Sequence, residues 1–236
     1  MILKRAFDTM IKGGLMHLHD VIEATEEQLL CLIDPHNNGY YAHRFSGCSS
    51  VCLVAHVDTY PRNYPIDLSV QDNCLYNRNG LLGADDRAGV FLILELLAQG
   101  VDLNVLLCNG EESGAIGARK AWDELDFSGI KFFIELDFRG NGEYAVYYPQ
   151  PDWVHEIPRT LNFTEAVGTF TDIAVFHSIP GINISVGYRN QHTNSEYLEL
   201  GSMLHTLKKL PELIRQAERK VACFSKEDIS RQMEEA

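Results

Sequence analysis

Positive charge is scarce in this chain: 20 lysines and arginines stand against 33 aspartates and glutamates over 236 residues, a formal net charge of −13 with histidine neutral. Proteins that grip a phosphate backbone carry clustered Lys and Arg to displace counterions, so the balance argues against a nucleic-acid partner. Long apolar runs are missing as well. The longest, Gly89 to Ala98, is interrupted by Glu95 and falls far short of the roughly 20 residues a bilayer span requires, so no membrane partner is expected. Lys4, Arg5 and Asp8 break up the amino terminus before a signal-peptide core could form. The six cysteines (Cys31, Cys48, Cys52, Cys74, Cys108 and Cys223) show no paired metal-type spacing. Cys52 and Cys108 sit inside apolar runs, where a reduced thiol packs as a small hydrophobe, which suits a cytoplasmic protein. No repeat, low-complexity tract or linker divides the chain, so residues 1–236 read as one domain.

What is present is an alternation of strand and helix signals. Thr25 and Gln28 form a capping box for a helix to about Ile33. Gly39 to Phe45 and Val51 to Ala55 read as strands, and Ile66 to Asn77 as a hairpin turning around Gln71, Asp72 and Asn73. Arg87 to Gln99 is a helix apolar nearly all round, followed by a strand at Leu103 to Cys108, a helix at Ala115 to Leu125 and a strand at Ile130 to Leu136. A helix around Asp172 to His177 leads to a strand at Ile182 to Val186. The end of the chain spaces Leu200, Leu204, Leu207, Leu210, Ile214 and Ala217 at helical intervals, with Pro211 expected to kink or restart the helix. Gly140 to Val167, rich in aromatics and proline, reads as strand and loop of no definite place. The expected fold is α/β: a mostly parallel central sheet with helices on both faces.

In such a sheet ligands bind beyond the carboxyl ends of the strands. The residues just past the apolar runs are His56 and Asp58, Glu111 and Glu112, Asp137, and His192 after a short turn, while Asp85 and Asp86 precede the buried helix. Two histidines among several carboxylates are a ligand set for zinc, with cobalt or manganese as substitutes. Asp58, two residues from His56, leaves an extended segment on the same face and can orient the imidazole through its other nitrogen. Adjacent Glu111 and Glu112 point different ways, so one can bind metal while the other faces a water. One of the adjacent aspartates can bridge. Three carboxylates and a bridging hydroxide balance two divalent cations, whereas one cation would leave net negative charge in a partly buried site.

The segments Ala55-His56-Val57-Asp58-Thr59, Gly83-Ala84-Asp85-Asp86-Arg87-Ala88-Gly89, Asn109-Gly110-Glu111-Glu112 and Glu135-Leu136-Asp137 resemble those of the zinc-dependent di-metal exopeptidases, which include leucyl aminopeptidases and tetrahedral-assembly aminopeptidases. The segment Ile184 to His192, with Glu196 beyond, resembles the tetrahedral-assembly branch most. The resemblance spans roughly Val51 to Glu196. It implies His56 and Asp137 as ligands of one metal, Glu112 and His192 as ligands of the other, Asp85 as the bridge, and Glu111 as catalytic base; Asp58 joins Glu111 in the catalytic set by its spacing to His56, with a simple turn residue as the alternative. It also implies a cis peptide between Asp85 and Asp86 and a metal-bridging hydroxide as nucleophile. Relatives insert a barrel domain after the first histidine or a lid domain before the last. Here 29 residues separate His56 from Asp85 and 55 separate Asp137 from His192, so neither insert has room and the chain reads as the catalytic core alone.

Taken singly, most of these residues have plainer roles. A lone His or Asp at a strand end is more often a buried hydrogen-bonding residue, and Asp86 suits both a helix cap and a residue that positions the site. Asp172 suits a cap, although the resemblance places an aspartate near the site there, and His17, His19, His155, His177 and His205 read as surface or packing residues. Arg189 is either a surface cation or a substrate contact. The ordered set favours a metallohydrolase that cleaves the terminal amide of a small peptide or acylated amino acid. An aminopeptidase is the first expectation. A carboxypeptidase or deacylase is the alternative, and it would need Arg87, Arg139 or Arg189 for a terminal carboxylate. A single-metal glutaminyl cyclase-like transferase and a metal-stabilised binding module rank lower, because a complete ligand set stands beside a base.

Overall fold

Val51–His56 (β2), Asn104–Cys108 (β5), Phe132–Phe138 (β6) and Gly181–Ser185 (β9) are buried along their whole length and pair in parallel, in the order β5-β2-β6-β9. The computed structural model describes residues 17–60 and 65–236, so Lys4, Arg5 and Asp8 lie outside the described residues. Antiparallel strands flank the parallel centre: Tyr41–Arg44 (β1) on β5, and Glu143–Ala145 (β7) on β9, with Thr164–Glu165 (β8) alongside β7. The central strands are mainly apolar because both faces of the sheet are covered, with Asn104, Glu135, Asp137 and Asn183 among the buried polar exceptions.

The period of two sorts their side chains into two cores. Val51, Leu53 and Ala55 of β2, with Phe132, Ile134 and Leu136 of β6, face a large core built with helices Leu18–Glu23 (α1), Glu26–Ile33 (α2), Ala84–Ala98 (α3), Asp152–Thr160 (α5) and Leu200–Val221 (α6). Cys52, Val54 and Phe133 face a smaller core with Ile116–Glu124 (α4) and the 3-10 turn Asp172–Phe176. The functional residues follow from that parity. His56 continues the series Cys52, Val54, and Asp137 continues Phe133, Glu135, so both leave the sheet on the side of the smaller core.

Helix α3 crosses the sheet closely. A Cβ on Gly89 would run into the carbonyl oxygen of Leu136 and the Asp86 carboxylate. Gly89→Ala should therefore destabilise the protein by about 1–3 kcal/mol, the usual cost of overpacking, although alanine is the better helix former. A melting temperature equal to or above that of the wild type would show that the crossing has slack.

A second, antiparallel sheet joins Leu68–Gln71 (β3), Cys74–Asn77 (β4), Tyr188–Arg189 (β10) and Tyr197–Glu199 (β11) in the order β10-β11-β4-β3. Asp72 and Asn73, at φ 50° and 61°, form the two-residue hairpin turn between β3 and β4. Leu75 and Leu198 of this sheet belong to the large core. The hairpin fills the interval between His56 and Asp85, and β10 and β11 flank the segment that carries His192.

The capping box at Thr25 forms as the spacing predicts, with Gln28 N donating to Thr25 Oγ1 at 3.2 Å and Thr25 N to Gln28 Oε1 at 2.8 Å. One expectation changes. Helix α6 runs unbroken through Pro211, since burial of Leu210, Leu213, Ile214 and Ala217 on one side outweighs the single backbone bond that proline forgoes. The helix expected around Asp172 to His177 forms with 3-10 geometry over Asp172–Phe176, and a further helix, Lys226–Glu235 (α7), follows α6. The unplaced stretch from Gly140 to Val167 holds β7, α5 and β8, whose two strands are three and two residues long. Among the described residues no helix is long and apolar enough to cross a membrane.

Candidate metal centre

Three parallel strands deliver the first set of groups. His56 is the last residue of β2, Asp137 lies near the end of β6, and the turn after β5 carries Glu111 and Glu112. Asp85 and Asp86 come from the entry to α3, where both depart from helical dihedrals, so regular helix begins at Arg87. The peptide between them is cis, as the resemblance implies. His192 arrives from the loop between β10 and β11.

The structure brings all five expected ligands together. His56 Nε2 lies 3.1 Å from Asp85 Oδ1 and 3.6 Å from Asp137 Oδ1. His192 Nε2 lies 3.2 Å from Asp85 Oδ2 and 2.7 Å from Glu112 Oε1. Asp85 thus turns one oxygen to each histidine. The ligand atoms of His56, Asp85 and Glu112 lie within 4.8 Å of one another, as do those of His56, Asp86 and Asp137. In the second group Asp86 is already engaged, since its carboxylate accepts from His56 N at 3.3 Å and Gly89 N at 3.0 Å. It both supports the site and caps the helix, which leaves Asp85 as the better ligand. Imidazoles and carboxylates converging at a buried strand edge are the donor set for a borderline divalent cation.

The mutual field of these groups is strong. Hydrogen bonds and charge from Asp85 and Glu112 push His192 up to about 10. Burial works against a charged His56, yet Asp137, Asp58 and Asp85 hold it well above the ordinary imidazole range. Burial and the neighbouring Asp85 raise Asp137 to about 6. Glu111 is raised to about 9, first by burial and then by Asp137, Asp172 and Glu112, against the opposing charge of His56. Divalent cations would take over the role of the imidazole protons and favour every one of these carboxylates in its charged form.

Asp58 organises the neighbouring turn. Its carboxylate accepts from the backbone N–H groups of Gly110 at 2.7 Å, Glu111 at 3.1 Å and Glu112 at 3.2 Å. His56 Nδ1 is 2.9 Å from the Asp58 carbonyl oxygen and 3.5 Å from its carboxylate, so backbone and side chain both orient the ring. Asp58 does not line the cleft that Glu111 lines and acts through that turn. Burial raises its carboxyl, but His56 and the Gly110 and Glu111 amides outweigh this and hold it at about 2. A depressed carboxylate adds stability above its unfolded value, near 3.8, and loses it as pH falls towards 2. Asp58→Asn in the metal-free protein should therefore flatten the acid limb of stability between these values. It should also weaken metal binding about 10- to 100-fold, as loss of a supporting partner does. An unchanged acid-unfolding profile would remove Asp58 from this role.

Other supports were not legible beforehand. Glu196, buried, accepts from the N–H groups of Leu82 at 3.0 Å and Gly83 at 2.8 Å through one oxygen and of Asp85 at 3.1 Å through the other. It holds the Asp85 turn as Asp58 holds the Glu111 turn. Thr171 Oγ1 donates to Asp137 Oδ2 at 2.8 Å and the Tyr188 hydroxyl to Asp137 Oδ1 at 2.9 Å. Asn183 receives the Asp137 N–H at 2.9 Å and returns a bond to its carbonyl at 2.7 Å. Of these, Glu196 was signalled through the resemblance, as was an aspartate at Asp172. Asp172 and Glu135 are fully buried behind the site, where the Cys108 thiol is the neighbour of Asp172 and Thr171 that of Glu135. Asp172 is pushed up to about 7 by burial and by Asp58 and Asp137, so its side chain is not the simple cap its position suggests. Arg189 is one candidate the structure does not bring in: it pairs with Glu199 at 3.6 Å and is not among the residues lining the cleft. That cleft, of about 340 Å³, opens beside the cluster and is lined by Asp85, Glu111, Glu112, Asp137 and His192 with the loop at 167–170.

A mostly parallel sheet with this cluster at its carboxyl edge defines an α/β protein with a candidate metal centre. The model of peptidase family M28 matches residues 43–176, and the chain belongs to that family and is a metallo-exopeptidase. No curated protein sequence matches it. Among solved structures it is similar to aminopeptidase PepT from Bacillus cereus ATCC 10987, with 15% identity and a TM-score of 0.58, covering 91% of this chain and 97% of that one. A tripeptidase from Staphylococcus aureus aligns with 16% identity and a TM-score of 0.59, over 76% of this chain and 83% of its own. An aminopeptidase from the archaeon Desulfurococcus kamchatkensis aligns with 12% identity and a TM-score of 0.59, over 90% and 95%. At such identities the likeness is one of fold.

Proposed function

We propose that the protein is a di-zinc aminopeptidase that removes the N-terminal residue of small peptides, with the described residues forming one catalytic unit. His56 and Asp137 would hold one zinc and His192 and Glu112 the other, with Asp85 between them. The observation that carries this reading is Asp85 itself, whose two oxygens face two different imidazoles at 3.1 and 3.2 Å. When bound, the metal pair would polarise the scissile carbonyl and lower the pKa of a water from 15.7 to about 7. Glu111, positioned by Asp58 through its own N–H, takes the proton of the attacking water. It then returns a proton to the amine, which departs neutral. The surrounding carboxylates offer acceptors for a free ammonium group on the substrate.

The test combines zinc analysis with matched peptides. Two zinc ions per chain, and hydrolysis of a free dipeptide but not of its N-acetyl form, are expected. Equal rates on the two peptides would overturn the aminopeptidase assignment, and one metal per chain would favour the single-metal transferase.

A further inference from the structure

The cleft beside the metal cluster is lined by four carboxylates, and among its described lining residues Arg139 is the one lysine or arginine. The other two arginines near the motifs are engaged elsewhere. Arg87 is buried, and its Nη1 donates to the carbonyls of Val21 at 3.0 Å and Ala24 at 2.8 Å, holding the end of α1. Arg189 faces Glu199. Arg139 is exposed, rests over the Phe138 ring with 6.0 Å to its centroid, and takes part in no ion pair among the described residues. A guanidinium left unpaired at the mouth of so acidic a cleft can attract the anion that the cleft otherwise repels.

Distance sets the size of that anion. Arg139 stands two residues past Asp137 on the same strand end, about 7 Å along an extended chain. A bound peptide advances at most ~3.3–3.6 Å per residue. From a scissile bond at the metals, the guanidinium is therefore within reach of a group one or two residues further on. The cleft volume, about 340 Å³, lies at the small end of the ~300–1,000 Å³ range of small-molecule sites. A planar guanidinium matches a carboxylate by paired N–H···O bonds.

We propose that Arg139 binds the free C-terminal carboxylate of the substrate, so that the protein acts on peptides of two or three residues. This rests on the exopeptidase reading of the same site. The experiment compares Leu-Ala and Leu-Ala-Ala with their C-terminal amides, on zinc-loaded wild type, Arg139→Ala, Arg139→Lys and Arg231→Ala. The wild type should prefer the free acids about 5- to 10-fold in kcat/KM, between an exposed ion pair and a charge-assisted hydrogen bond, with the difference carried by KM. Arg139→Ala should bring the acid-to-amide ratio to about one. Arg139→Lys should keep part of it, and Arg231→Ala, on α7, should keep all of it. Calorimetric titration of the same ligands into zinc-loaded Glu111→Gln reads the preference as affinity, without turnover. Equal handling of acid and amide by the wild type, or a preference that survives Arg139→Ala, overturns the proposal. If neither acids nor amides are hydrolysed, the aminopeptidase assignment fails separately, and the binding comparison still decides Arg139.

Discussion

Glu111→Gln is expected to lower kcat on peptide substrates by about 10²- to 10⁴-fold, the usual contribution of a positioned general base, while the zinc content stays at the wild-type level. Glutamine keeps the shape and cannot accept the proton. The geometry separates the two effects, because Glu112, not Glu111, contacts His192 at 2.7 Å, and the backbone bond from Glu111 N to Asp58 survives the substitution. Burial and neighbouring acids place the Glu111 carboxyl at about 9 without cations, higher than a base working at neutral pH requires. Two divalent charges beside it act in the opposite direction and bring it towards that range. Turnover and metal analysis on one preparation check the prediction. Wild-type kcat in the variant would remove Glu111 from the chemistry, and loss of zinc would make it a ligand.

Asp85→Ala should have the broadest consequence. Each histidine loses a carboxylate oxygen at once, 3.1 Å from His56 and 3.2 Å from His192, so zinc should fall from two per chain to one or none, and activity by at least about 10³-fold. His192→Ala is the informative contrast, since it touches only one side of the pair and should remove one zinc and leave the other. Removing Asp85 also takes an anion from between two imidazoles that it helps keep charged, so the metal-free variant should show a weakened preference for the protonated rings. Zinc titration by calorimetry, beside circular dichroism to establish folding, measures all of this. Full occupancy of both sites in Asp85→Ala would end the bridging assignment.

Three of the expected ligands, His56, Glu112 and Asp137, sit at or just past strand ends, where chain pattern is most informative. A buried parallel strand is a continuous apolar run, and the first polar residues after it necessarily emerge at the carboxyl edge; His56, Glu112 and Asp137 are legible for that reason. Asp85 is legible because it opens an unmistakable buried helix. The second sheet was only partly legible. The hairpin at Asp72 and Asn73 announces itself by its turn residues, whereas β10 and β11, two and three residues long, have no periodicity to detect. The continuous helix through Pro211 shows the same limit from the other side, as a local rule is overridden by the packing of Leu210, Leu213 and Ile214.

Which residues support the ligands was decided only in three dimensions. Glu196 reaches amides 111 to 114 positions earlier in the chain, and Thr171 and Tyr188 reach Asp137 across 34 and 51 positions. Nothing in local spacing encodes such pairs, because they depend on strand order, on register and on how the second sheet packs against helices α3 and α6. The same holds for the arginines: Arg87, Arg139 and Arg189 look alike as letters beside motifs, and packing turns one inward, pairs one with Glu199 and leaves one in the cleft. By itself the sequence determined the layer architecture, the edge where polar groups gather and the identity of those groups, since periodicity and side-chain chemistry are local properties. The tertiary structure decided their distances, their charge states and their supports, since these arise from segments far apart in the chain that burial forces into contact.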